Sequence, residues 1–295
     1  MVKSNAKMPS QQVFILTAIA MIAFAGNSLL SRAAFLETTI DPASFTSLRL
    51  LSGFVMLWLI SFVNHQPYKG EGSWISAFAL FMYAAGFSFA YVSLSTGMGA
   101  LLLFGAVQAT MIGHGIYKGE RLSKQQGAGL TLALAGLIGL LLPGLSSPPL
   151  FGAILMMGAG VAWGIYSLRG RGLGNPTLVT TGNFLRSIPI AVVMSILAFT
   201  NADIDLSGFW YAIASGALTS GIGYALWYSV LPFLKATNAA TIQLSVPVLA
   251  AVAGILFLGE ALSFRFMFAS IAILGGIALV LIKTSSSTRK NEDSN

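Results

Sequence analysis

The chain has 295 residues, 56% of them hydrophobic and only 8% charged, against about 25% charged in an ordinary globular domain. That balance points away from a soluble fold, and the absence of cysteine excludes disulfides, thiolate metal sites and cysteine nucleophiles. A net charge of +7 could suggest nucleic acid, but its distribution along the chain fits a membrane protein instead.

A bilayer core about 30 Å thick takes roughly 20 apolar residues per helical span. Ten runs of that order follow one another, at 12–32, 42–63, 74–94, 97–117, 125–142, 150–169, 177–199, 208–230, 236–258 and 264–282. The connections are too short to hide a soluble domain. Residues 1–283 therefore read as one membrane domain, with the polar stretch 284–295 as a disordered cytoplasmic tail. A second span directly behind the first argues against a cleaved signal peptide.

Helix 1 carries Asn27 and Ser31 one turn apart, and span 2 carries Arg49. Helix 3 places Ser76, Tyr83, Phe87 and Tyr91 on one stripe. Helix 4 holds Gln108 and His114, and helix 6 holds Trp163 and Ser167 beside Gly160 and Gly164, a GxxxG step that lets another helix approach closely. Arg186 lies in span 7. Helix 8 repeats the aromatic stripe with Ser220, Tyr224, Trp227 and Tyr228. Helix 9 aligns Asn238, Thr241 and Ser245 ahead of Pro247, which interrupts the backbone ladder and can expose carbonyls, with Gln243 alongside. The aromatic stripes suit a hydrated cavity, where tyrosine hydroxyls find partners; core packing and interfacial aromatics are the competing readings. Arg49 and Arg186 snorkel, pair with carbonyls, or bind a substrate carboxylate.

Between spans 4 and 5, "YKGERLSKQQG" (117–127) gathers Lys118, Glu120, Arg121 and Lys124. Its core returns 140 positions later, Gly119, Glu120, Leu122 and Ser123 being matched by Gly259, Glu260, Leu262 and Ser263. Ala100/Ala240, Gly136/Gly276 and Leu141/Leu281 match at the same offset, so residues 150–282 repeat 12–142. Five spans per half is an odd number, and the halves must therefore lie in opposite orientations. With the N-terminus in the cytoplasm, twelve Lys and Arg fall on that side and only Arg32 and Arg265 on the other. This positive-inside asymmetry places both termini in the cytoplasm. It also explains why Lys118, Arg121 and Lys124 become Leu258, Ala261 and Phe264 in the second copy. Gly can close a helix and Ser can cap the next, so Glu120 and Glu260 read as turn residues at the membrane surface rather than a proton site.

Ten spans in two halves, each with "GE-x-LS" between its fourth and fifth helices, resemble the drug/metabolite transporter superfamily, EamA type. "AWG" at 162–164 and above all "SVPVLAAVAGILFLGEALS" at 245–263 carry the likeness. The first half departs from it, with Val107 opposite Pro247 and Ala25-Gly26 in place of Trp-Gly. The resemblance implies an all-α membrane fold of ten helices, as two inverted five-helix repeats around a central cavity lined mainly by helices 1, 3, 4, 6, 8 and 9. It also implies relatives that export amino acids, aromatic ones included.

The expected function is export of amino acids, aromatic and other neutral ones, or of similar small metabolites, by alternating access across the cell (inner) membrane. Substrate contacts are expected from Asn27, Tyr83, Phe87, Tyr91, Gln108, His114, Trp163, Tyr224, Trp227, Tyr228, Gln243 and Ser245, with Pro247, Gly160 and Gly164 as helix-break or gating positions. The alternative within the superfamily is a nucleotide-sugar or phosphate-ester exchanger, whose permanently charged substrates call for several deep Lys or Arg. An intramembrane enzyme would need an HExxH, a GxSxG or a deep carboxylate pair, and the sequence has none. All nine acidic residues fall in loops, span edges or the tail, so no proton relay is expected. No cofactor, metal or nucleic acid is expected; the partners are a small-molecule substrate and the lipid bilayer, with a monomer as the simplest assembly.

Overall fold

The computed structural model of the chain describes residues 8–66, 68–119, 121–143, 147–170, 175–234, 239 and 242–281. Glu120, Arg171, Asn238, Thr241 and the tail 284–295 lie outside the described residues. Among those described there is no strand. The helices are α1 (Ser10–Glu37), α2 (Pro42–Val63), α3 (Trp74–Tyr91), α4 (Thr96–Tyr117), α5 (Lys124–Leu141), α6 (Leu150–Arg169) and α7 (Pro176–Leu197). They continue with α8, built from Leu206–Ala214, Ser215–Ile222 and Gly223–Val230, then α9 (Ser245–Leu258) and α10 (Phe264–Leu281).

Local chemistry sets the ends. The backbone N–H groups of Ala43 and Ser44 donate to Asp41 Oδ1 at 2.9 and 3.0 Å, and Pro42 supplies a first helical residue that needs no partner for its nitrogen. Asn175 and Pro176 open α7 in the same way. The duplicated turns also share a backbone: Gly119 and Gly259 both take left-handed φ values, +92° and +63°, which only glycine adopts without strain. Ser123 Oγ then accepts from Gln126 N, and Ser263 Oγ from Phe266 N. A capping box completes the first of these, as Ser123 N donates to Gln126 Oε1.

Seven of the described helices are long and apolar enough to cross a membrane. The others depart for local reasons. α5 opens on the polar Lys124, Gln125 and Gln126; α8 is interrupted by a π-helical stretch; and much of the start of span 9 lies outside the described residues. Phe14, Ile22, Phe62, Phe257 and Phe268 are exposed, as a lipid-facing surface requires. Trp74 at the start of α3 and Trp210 near the start of α8 are exposed as well, positions where indoles sit at the two bilayer interfaces.

The packing obeys a pseudo-twofold exchange of the halves. α1 contacts α8 and α9, while its counterpart α6 contacts α3 and α4; α2 contacts α8, while α7 contacts α3. The pairs α2/α7, α4/α9 and α5/α10 each map onto themselves. Where α5 meets α10, a Cβ on Gly129 would come within 2.5 Å of the Gly276 carbonyl oxygen, and one on Gly276 equally close to that of Gly129. Two inverted five-helix repeats thus close around a centre bounded by α1, α3, α4, α6, α8 and α9.

Candidate functional site

A narrow cleft lies at that centre. α1 lines it with Phe24, Asn27 and Ser28, α3 with Tyr83 and Phe87, and α4 with Leu103 and Phe104. Trp163 from α6, Thr219 and Tyr224 from α8, and Gln243 just ahead of α9 complete the wall. The aromatic rings form a continuous layer. Trp163 lies 4.8 Å from Tyr83 and 5.1 Å from Tyr224 between ring centroids, and Phe24 meets Tyr224 edge-on at 5.8 Å. Such pairs add about 0.5–1.5 kcal/mol each beyond area burial.

One polar network crosses this layer. Ser215 Oγ donates to Asn27 Oδ1 at 2.7 Å, and Thr219 Oγ1 lies 3.1 Å from the same oxygen while it also stands 2.7 Å from the Ser215 carbonyl. Asn27 Nδ2 donates to Tyr83 Oη at 3.3 Å, and Arg49 Nη2 donates to the same hydroxyl at 3.0 Å. Arg49 is only 2% exposed. Its guanidinium lies 5.2 Å from the ring centre of Tyr83 and 4.8 Å from that of Phe87, and its Nη1 has no hydrogen-bond partner among the described residues.

The π-helical stretch Ser215–Ile222 makes this network possible. Its i→i+5 bonding puts one extra residue in a turn, so Thr219 reaches the cavity together with Tyr224, five positions on. A 3.6-residue period instead pairs Ser220 with Tyr224; Ser220 is buried, and its hydroxyl has no partner among the described residues. Glycine at 216 lets this stretch lie directly on α2, since a Cβ there would strike Ser52 Oγ and the Arg49 carbonyl. Ser215, Thr219, Ser28 and Arg49 are site residues that helical periodicity alone passed over or ranked low. The dense run of small residues "SGALTSGIG" (215–223) is the signal that could have drawn attention to them.

Of the residues expected from sequence, Asn27, Tyr83, Phe87, Trp163, Tyr224 and Gln243 meet at the cavity. The rest stand elsewhere. Tyr91 is fully buried and donates to the Thr96 carbonyl at 3.2 Å. Trp227 is buried with its ring edge-on to Phe24, and Tyr228 is half-buried against the core. Gln108 is buried one turn beyond Phe104, with Nε2 unpartnered among the described residues. His114 is exposed in the last turn of α4 rather than deep in a span. Ser245 is exposed and donates to the Ile242 carbonyl at 2.7 Å. Pro247 is buried two residues into α9, and its missing N–H spares the carbonyl of Gln243, four residues back. Gly160 and Gly164 are packing residues: a Cβ on the first would come 2.5 Å from the Leu103 carbonyl and one on the second 2.8 Å from Thr110 Cβ, which seats α6 on α4.

Polar clusters flank the cavity at both ends. At one, Arg32 Nη1 donates to the carbonyls of Tyr91 and Val92 at 3.0 Å, and its Nε lies 3.6 Å from Glu260 Oε1. Thr96 N donates at 2.9 Å to the Glu260 carboxylate, which thereby caps α4 from the other repeat. Glu260 is a turn residue, as expected, but one that ties the second repeat to the first. At the opposite end Arg186 donates to the carbonyls of Gly70, Glu71 and Gly182 at 2.8, 2.6 and 3.1 Å and to Tyr68 Oη at 3.0 Å. Of the readings weighed for Arg186, pairing with carbonyls is the one realised.

The model of the EamA-like transporter family matches residues 150–282. An uncharacterized protein of Pseudomonas aeruginosa PAO1, PA1977, is 54% identical over 275 residues, 93% of this chain and 96% of its own. The threonine/homoserine exporter RhtA of Escherichia coli K12 is 27% identical over 274 residues, 87% of each chain. The uncharacterized transporter YoaV of Bacillus subtilis 168 is 23% identical over 253 residues, 81% of this chain and 86% of its own. A solved crystal structure superposes with a TM-score of 0.66 at 18% identity, covering 92% of this chain and 97% of its own, a likeness of fold.

Proposed function

The chain belongs to the EamA-like transporter family and is an integral membrane transporter, and from that premise we propose that it exports amino acids, aromatic and other neutral ones, by alternating access. The observation that carries this reading is the central cavity, walled by Tyr83, Phe87, Trp163 and Tyr224 and holding the neutral polar groups Asn27, Thr219 and Gln243. Apolar and aromatic surface accepts side chains of varied size while a few polar groups fix orientation. Likeness to a threonine/homoserine exporter favours the same class of substrate. A nucleotide sugar would bring permanent phosphate charge and call for several cations, whereas one arginine, Arg49, stands against the rings of this cavity.

Counterflow in proteoliposomes tests the substrate class. Vesicles loaded with unlabelled amino acid take up labelled amino acid from a panel, and nucleotide sugars fail to exchange. Exchange of nucleotide sugars alone would overturn the reading. We further propose that the chain lies in the cell membrane with both termini in the cytoplasm, as the basic residues suggest. The chain has no native cysteine, so single replacements report directly. Arg121→Cys and Ala261→Cys, both at exposed positions one repeat apart, should differ in intact cells, with an impermeant maleimide labelling only position 261. Labelling of both, or of 121 alone, would refute this orientation.

A further inference from the structure

Among the described residues Arg49 is the most deeply buried arginine, 2% exposed, and the fold leaves it incompletely partnered. Its guanidinium offers five N–H donors in a fixed fork. Among the described residues it has one hydrogen-bond acceptor, Tyr83 Oη, an unpartnered Nη1, and no carboxylate within ion-pairing distance. Two aromatic faces offset part of the charge. Arg32 and Arg186, by contrast, are each met by two or more oxygens.

The acceptor that Arg49 does have is informative. Tyr83 Oη takes hydrogen bonds from both Arg49 Nη2 and Asn27 Nδ2, so one oxygen at the cavity wall sits between a guanidinium and an amide. A carboxylate placed there would accept from Nη2 and Asn27 with one oxygen and from the unpartnered Nη1 with the other, the paired geometry in which guanidinium binds carboxylate most strongly. The cavity is narrow and its rings nearly fill it, so a solute must move Tyr83 to enter, which frees the oxygen position.

We propose that Arg49 is the carboxylate-binding residue of the transport site: the substrate carboxylate takes the place of the Tyr83 hydroxyl on Arg49 and Asn27, and transport selects for solutes that carry one. This rests on the reading of the cavity as the transport site and deepens it. The apolar rings then receive whatever side chain the carboxylate anchors, which accounts for one cation in an otherwise neutral pocket. The neighbouring Asn27 keeps its carbonyl oxygen on Ser215 and Thr219, so its amide N–H stays aimed at the anchoring point.

The test uses the full-length protein in proteoliposomes and compares L-phenylalanine with L-phenylalaninol, which keeps the amine and ring but lacks the carboxylate, as competitors of labelled phenylalanine counterflow. In the unaltered protein phenylalanine should compete at least about 100-fold better, as a site built around a polar group rejects its absence strongly. In Arg49→Gln, with melting in detergent unchanged, that preference should collapse to about threefold or less. Should Arg49→Gln not fold, Arg49→Lys, which keeps the charge but loses the fork, should lower the preference by about tenfold. Equal competition in the unaltered protein, or a preference undiminished in a folded Arg49 variant, overturns the proposal. If no amino acid is exchanged at all, the amino-acid reading fails separately. Thermal stabilisation of the purified protein by monocarboxylic acids against their amides then decides the carboxylate site: acid preference lost in the Arg49 variant supports it, and no acid preference overturns it.

Discussion

Arg49 and Arg186 occupy pseudo-equivalent helices, α2 and α7, which pack against each other, yet their surroundings are opposite. Arg186 lies against the α2–α3 connection and donates to three carbonyls and a tyrosine hydroxyl. Arg49 lies beside the cavity and donates to one hydroxyl. The difference follows from where carbonyls are free. Irregular backbone such as Gly70–Glu71 has oxygens that no helix uses, whereas in a helix interior each carbonyl already accepts from the N–H four residues on and serves an arginine only as a second, longer contact, as Gly182 does for Arg186. A buried arginine beside a loop is therefore built in by the fold, and one among helices must look to side chains or to a ligand.

The sharpest way to break this comparison is to remove Arg186. Arg186→Ala leaves the oxygens of Gly70 and Glu71 without their donor and should cost about 3 kcal/mol, read as a lower melting temperature in detergent. Transport should fall only in proportion to the folded protein. If Arg186→Ala melted normally but lost transport, the division between a structural and a functional arginine would be wrong. Arg49→Gln should do the reverse, keeping its melting temperature and losing carboxylate preference.

The polar cluster at Arg32 gives a smaller effect of the structural kind. Glu260→Ala removes the carboxylate that caps α4 at Thr96, and should destabilise by about 1–2 kcal/mol, the usual range for losing a helix cap. Glu260→Gln keeps one acceptor and should cost less. Equal melting of both variants and the unaltered protein would mean that this tie between repeats contributes nothing. Smallest of all are the paired caps of the duplicated turns. Ser123→Ala and Ser263→Ala should each cost about 1 kcal/mol, measured again by melting. A large inequality between them would show that the repeats share sequence at these turns without sharing energetics.

Much of the architecture was legible without coordinates. The runs 42–63 and 150–169 coincide with α2 and α6, because apolar length and Asx-Pro or Pro starts are local properties. The duplicated "GE-x-LS" announced both the repeat and its turn chemistry, and the two glycines do adopt left-handed φ. Part of the cavity was legible too: the helix 3 stripe placed Tyr83 and Phe87, and the short AWG motif placed Trp163, on the wall where they stand.

The sequence by itself determined the number of helices, their duplication and most of their ends, since each depends on residues within a turn or two of one another. Only the tertiary structure decided which polar groups meet. The π-helical stretch in α8 shifts the register by one residue and brings Thr219 rather than Ser220 to Asn27, a change invisible to any fixed helical period. The roles of these arginines depend mainly on oxygens from distant residues, 59 to 228 positions away for Arg32 and 115 to 118 for the loop carbonyls and Tyr68 that meet Arg186 or, for Arg49, on their scarcity. Helix formation responds to near neighbours, whereas the pairing of a buried charge is settled only when distant helices pack.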